Sequence, residues 1–236
     1  MSSTPPTGQT TSTDLAYALG CADFFQLTSL FCFNPTPDLA QGILDGSVAD
    51  DMQAIFEDAG IDPRKAATER LDEACSGSGT AEDLHATLRQ DYTALFTHPK
   101  EPLTSLYEMQ FRDQRDHRDT PSTLFLNEAA LHAEQCYRSA GLALSDAKSR
   151  EPGDHMGIEL EFMAYLHIQL AAALSEGDAA AQERWEKAIS DFLPHLESWG
   201  VDFFAACTDS KQGVVYPWLG TAGRSFLEAY LANGAS

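Results

Sequence analysis

Residues 151–166, EPGDHMGIELEFMAYL, place a turn directly against a helix with almost no polar side. Pro152 fixes its own φ and disfavours helix at Glu151, and Gly153 loosens the backbone. Asp154 is a suitable N-cap, because its carboxylate can accept from the unpaired N–H groups of a first turn. From His155 the spacing is helical. Leu160, Met163, Ala164 and Leu170 form one stripe, and Ile158, Phe162 and Tyr165 extend it to other sides. A helix apolar most of the way round must be wrapped by other elements. The remaining chain therefore has to supply those elements, and a polar cluster of Glu151, Asp154 and His155 sits at the mouth of the central helix.

The rest of the sequence reads as further helices. Residues 1–13 carry Ser, Thr, Pro, Gly and Gln without side-chain charge and read as a disordered tail. Thr13 then caps a helix with Leu15, Ala18, Leu19, Ala22 and Phe25 on one face. Asp38 opens a short helix to Leu44, and Ser47 opens another that stops at Gly60. Asp62-Pro63 starts a helix to about Ala74. Thr80 with Asp83 is a capping-box pair ahead of Leu84, Leu88, Tyr92 and Leu95. The run from Arg112 to Asp119 alternates Arg and Asp so that the signs cancel, and it reads as a solvated face or loop. Thr120-Pro121 caps a helix ending at Gly141, and the central helix ends at Gly177. Asp178 starts the next helix, Pro194 breaks or kinks it, and Tyr216-Pro217 leads into the last. No segment shows sustained period-two alternation. The expected fold is all-α: a compact single-domain bundle of roughly ten helices over residues 14–236.

Charge narrows the partners. With 36 acidic against 15 basic residues the net charge is −21. Nucleic acid and anionic membranes call for basic footprints, so both are disfavoured; a cationic partner is permitted, and solubility or adaptation to salt accounts for the acidity equally well. Five cysteines with no Cys-x-x-Cys pair point to reduced thiols in a cytoplasmic protein. No signal peptide, no twin arginine near the start and no apolar run of about 18 residues stands in the chain. The sequence lacks the phosphate-loop, dinucleotide, nucleophile-elbow and His-Glu-x-x-His patterns. His155 and Glu159, four apart, are half of a metal site at most. Asp154, His155 and Glu159 could serve as acid and base in a hydrolase, but nothing supplies a nucleophile. No catalytic residue, metal or cofactor is assigned.

The segment Glu151-Pro-x-Asp-His-x-Gly-x-Glu-Leu-Glu-Phe-Met-x-Tyr-Leu166 resembles the signature of the TorD/DmsD-type chaperones. These are cytoplasmic maturation proteins for molybdenum-cofactor oxidoreductases exported by the twin-arginine pathway. Four further pieces stand in the family's order: residues 88–96, ending in Tyr92-x-x-Leu-Phe96; residues 101–107, ending in Tyr107; residues 137–142; and residues 195–199 with Tyr216 and the final helix. Leu103 departs from the Pro or aromatic usual there. The resemblance implies an all-helical fold and binding of the twin-arginine signal peptide of an apo catalytic subunit during folding, cofactor insertion and export proofreading. Carried over by position, the peptide-binding surface falls on Pro152, Asp154 and His155, with Glu151 beside them and Tyr92, Phe96 and Tyr107 as aromatic wall. A monomer is expected, with domain swapping at a Pro/Gly hinge as the variant. The competing reading is a general helical scaffold for some other protein.

Overall fold

The computed structural model describes residues 7–62, 70–100, 102–116, 127–142 and 151–234, with side chains from residue 12 onward. Ten α-helices lie among them. They are α1 (Thr7–Leu30), α2 (Pro37–Leu44), α3 (Ser47–Asp58), α4 (Leu71–Ala74), α5 (Ala81–Tyr92), α6 (Glu108–Arg115), α7 (Glu128–Ser139), α8 (Met156–Glu176), α9 (Ala179–Asp209) and α10 (Val215–Gly234). A π-helical turn at Thr93–Thr97 extends α5. Among the described residues the only strand-like feature is one isolated antiparallel bridge, Tyr107 to His155.

The central helix is α8, as its apolar circumference demands. It packs most extensively on α1 and then on α9, while α10 packs along α9. Stacked rings tie the layers together. Phe24 of α1 lies flat on Phe226 of α10 at 3.6 Å between centroids, and Phe25 meets Tyr230 edge-on at 5.4 Å. The one buried histidine of α8 away from its mouth, His167, pairs with the Tyr230 hydroxyl at 2.9 Å, and burial drives its pKa down to about 3.

Local signals place several termini where the sequence puts them. Thr80 and Asp83 exchange both capping-box bonds, at 3.2 and 3.1 Å. Asp178 accepts from Ala180 and Ala181. Gly177 takes a left-handed φ of 69° and lets Asp178 N–H reach back to the Ala173 carbonyl. Other expectations need correction. Helix α1 begins at Thr7, ahead of the Thr13 cap; of the expected tail, residues 1–6 lie outside the described residues. Thr36, two residues before Asp38, caps α2. Residues 63–69 of the Asp62-Pro63 helix and the Thr120-Pro121 cap also lie outside the described residues. Helix α7 starts at Glu128 behind its own cap, Asn127.

Two corrections offset each other in the helix count. The first half of the Arg/Asp run is helical, in α6, because Phe111 packs against Trp199 and Phe203. Pro194 does not end α9, which runs unbroken past it. Proline inside a helix costs about 3 kcal/mol. Phe192, Leu196, Trp199 and Phe203 are all buried on the face that crosses it, at about 1.5–3 kcal/mol each, so burial outweighs the lost bond.

Close approach of α9 and α10 requires Gly220. A Cβ there would sit 2.5 Å from the Phe204 carbonyl oxygen and also against the Thr208 backbone nitrogen. Alanine gains about 1 kcal/mol in helix propensity. Overpacking against backbone that cannot swing aside costs about 1–3 kcal/mol. Gly220→Ala should therefore lower the urea midpoint, whereas Gly77→Ala, with open space around it, should leave it unchanged or slightly raised.

Candidate functional site: a surface turn over a buried polar seam

The turn ahead of α8 is pinned from three sides. The Tyr137 hydroxyl of α7 donates to the Gly153 carbonyl at 2.6 Å. Gly153 lies so close to α7 that a Cβ would meet the Ala130 carbonyl oxygen at 3.0 Å. Met156 N–H donates to the Leu106 carbonyl at 2.8 Å, which closes the bridge beside Tyr107.

Asp154 is fully buried and does not cap α8. Its carbonyl accepts from Glu108 N–H at 2.9 Å, and its Oδ2 accepts from Met109 N–H at 3.2 Å. It therefore caps α6, across 45 residues of sequence. The same Oδ2 accepts from Asn127 Nδ2 at 2.9 Å, while Asn127 Oδ1 caps α7 through Ala130 N–H. The α8 cap passes to His155, whose Nδ1 accepts from Gly157 N–H at 3.2 Å. The physical reason is the bridge at Tyr107. It brings the start of α6 against the turn, and Asp154 faces those unpaired N–H groups rather than its own helix.

The residues expected to form a peptide-binding surface fall into two groups. Glu151, Pro152, Tyr107 and His155 gather at the turn. Pro152 is exposed, and Glu151 and Tyr107 are half-buried, with the Tyr107 hydroxyl donating to Glu151 Oε2 at 2.5 Å. The His155 ring is buried between Phe33, stacked at 5.1 Å, and the edge of Tyr107 at 5.3 Å. Tyr92 is half-buried nearby and feels the Glu151 charge; burial first, then that charge among others, raises its phenol pKa. Leu103, 57% exposed, adds apolar surface on the loop leading to Tyr107. Phe96 belongs elsewhere. It is buried against Phe203 and Tyr216, so it supports Tyr92 from the core side.

Behind the turn lies a seam that spacing did not disclose. Glu159 is fully buried and accepts from Trp199 Nε1 at 3.1 Å. Glu108 Oε2 pairs with His195 Nδ1 at 2.7 Å, and Glu108 Oε1 accepts from Ser198 at 2.7 Å and Arg112 at 2.9 Å. His195 Nε2 meets His132 Nδ1 at 2.7 Å. Burial, then the Glu108 charge, holds the Glu159 carboxyl well above the usual range. Burial also works against charge on Glu108, but hydrogen bonds from His195 and Ser198 keep its pKa below the ordinary value. The acid–base trio of Asp154, His155 and Glu159 thus resolves into three buried groups with separate partners. The sequence did carry one hint of the seam: His195 and Trp199 are four apart on α9 and share a face with buried Phe192 and Phe203.

Burial raises the Asp154 pKa, partly opposed by the bonds from Asn127 and Met109. Protonated Asp154 hence contributes stability that is fully present below the ordinary Asp pKa of 3.8 and is lost as pH rises through its folded value. Asp154→Asn keeps an oxygen for both donors and carries no charge. Measured by urea denaturation, its stability relative to wild type should improve from about pH 4 to about pH 8. Asp154→Ala, which strands two buried donors, should lose about 1–3 kcal/mol at acid pH.

The family described as Nitrate reductase delta subunit matches residues 47–205. The chain is 36% identical over 121 residues to a chlorate reductase assembly chaperone protein of Ideonella dechloratans, covering 50% of this chain and 55% of that one. It is 36% identical over 140 residues to a selenate reductase assembly chaperone protein of Thauera selenatis, covering 58% of this chain and 66% of that one. The chain thus spans between half and two thirds of the length of these relatives. No solved structure matches. The matched span runs from the start of α3 through the turn and the seam to near the end of α9, and over it the chain belongs to the nitrate reductase delta subunit family of TorD-like chaperones.

Proposed function

We propose that the protein is a dedicated assembly chaperone that binds the twin-arginine leader of an apo molybdenum-cofactor oxidoreductase in the cytoplasm and holds that subunit while it folds and receives its cofactor, without catalysis of its own. The observation that carries this reading is the turn at 151–155. Glu151 stands at the surface beside exposed Pro152, its carboxylate oriented by Tyr107 and close enough to Tyr92 to act on its phenol, while Phe33 stacks on His155 of the same turn. A guanidinium pairs bidentately with a carboxylate of this kind, and an apolar segment following it docks on aromatic surface. Family membership and two relatives named as reductase assembly chaperones support the same reading. Asp154 is engaged inside the fold, so its part is to set the position of Tyr107 and Glu151. The net charge of −21 favours encounter with a basic peptide at a distance.

The test is fluorescence anisotropy with a labelled leader peptide. Wild type should bind the Arg-Arg peptide, and Lys-Lys substitution should weaken binding by roughly tenfold or more, because Lys cannot form the paired bond. Glu151→Gln should weaken it by about 10- to 100-fold, the worth of a hydrogen bond to a charged group. Asp154→Asn should bind as wild type, and affinity should fall as salt rises. Equal binding of the Arg-Arg and Lys-Lys peptides would instead indicate a general protein-binding scaffold.

A further inference from the structure

We propose that Glu108, Glu159 and His195 form a site for one divalent transition-metal ion, at the junction of α6, α8 and α9. His195 Nδ1 and one oxygen from each carboxylate lie within 4.8 Å of one another. The nitrogen is 2.7 Å from Glu108 Oε2 and 4.0 Å from Glu159 Oε1. Ligands about 2.1 Å from a tetrahedral ion stand roughly 3.4 Å apart, midway between these separations.

Each ligand is also held from behind in the way metal ligands are. Ser198 and Arg112 hold Glu108 Oε1 and leave Oε2 facing inward. Trp199 holds Glu159 Oε2 and leaves Oε1 inward. His132 meets His195 Nε2 and leaves Nδ1 inward. The independent mark of a ligand is Glu159 Oε1. Its residue is fully buried, and that oxygen has no hydrogen-bond partner among the described residues. A buried carboxyl group with one oxygen unsatisfied is destabilising, and a cation bound there removes the penalty. On binding, Glu159 releases its proton to solvent and coordinates as a carboxylate, while His195 coordinates as neutral imidazole through Nδ1, its one ring proton moving to Nε2 and pointing toward His132. One imidazole and two carboxylates suit zinc, manganese or iron(II) better than magnesium or calcium, which prefer all-oxygen shells. His132 also lines a surface cleft of about 670 Å³ between α7 and α9.

The experiment uses the full chain, stripped with chelator and dialysed against zinc, with bound metal counted by mass spectrometry and affinity measured by competition with a chromogenic chelator. One zinc per chain is expected. Glu159→Gln retains an oxygen for Trp199 and nearly the same volume, and it should weaken binding by at least about 100-fold, more than loss of an outer partner does. His98→Asn, an exposed histidine away from the seam, should bind as wild type. The wild-type cobalt(II) form should show visible ligand-field bands without a near-ultraviolet thiolate band. No saturable zinc binding, binding unaffected by Glu159→Gln, or a thiolate band from the cysteines would each overturn the proposal. Should Glu159→Gln fail to fold by circular dichroism, the zinc count and cobalt spectrum of the wild type decide. None of these readouts involves the leader peptide, so the metal site and the proposed function stand or fall separately.

Discussion

An eight-residue helix as charged as α6 cannot hold itself together in water, because nucleating a helix fixes several residues for its first hydrogen bond. It also lacks a local side-chain cap, since Tyr107 stands at the capping position. Asp154 meets that need. Its carbonyl and its carboxylate take the first two N–H groups of α6, and the same carboxylate holds the residue that caps α7. One buried side chain thereby sets the starts of two helices against the start of a third. Tyr107 precedes α6 directly, so the surface that contains Tyr107 and Glu151 takes its position from this bond.

The same interaction explains which parts of the architecture were legible. Caps with local partners were readable: Thr80 with Asp83, Asp178 with its own first turn, Gly177 at a helix end. Asp154 carries the same chemical signature as Asp178, yet its donors lie on another helix. A one-dimensional pattern identifies an acceptor and leaves its donor open. The central place of α8 followed from its composition alone, because no surface helix can be apolar on so many sides. Helix α6 was hidden by its charges, although Phe111 and Glu108 face inward from the same short segment. At Pro194 the break, one of the two outcomes expected there, does not occur. The breaker is local, and the face that overrides it extends from Phe192 to Phe203.

For the candidate site, the motif located the right segment and left its orientation open. Pro152 and Glu151 lie at the surface, whereas Asp154, His155 and Glu159 turn inward within the next eight residues. Helical periodicity could not show this for Glu159, because its polar partner is the indole N–H of Trp199, 40 residues away. An indole is counted as apolar when faces are assigned by hydropathy, and its single donor disappears from the pattern. Phe96 shows the complementary error: an aromatic residue beside Tyr92 in sequence points to the core, and only one of the two reaches the surface.

The arrangement has an inner layer of buried acids and an outer layer of half-buried groups at the proposed recognition surface, joined by one to three residues of chain. Glu108 belongs to the seam, and its neighbour Tyr107 belongs to the surface. Asp154 belongs to the seam, and Glu151 three residues earlier belongs to the surface. Displacing the seam therefore displaces the recognition groups, even though no seam carboxylate need touch a ligand. A surface fixed from beneath in this way loses little conformational freedom on binding, so more of each contact remains as affinity. The diffuse surface acidity acts separately. On the proposed function it accelerates encounter with the basic peptide over roughly a Debye length and fades with salt, while the seam, shielded from solvent ions, keeps its geometry. Raising salt should then slow association far more than it speeds dissociation, a division that follows from keeping the charges that attract apart from the charges that position.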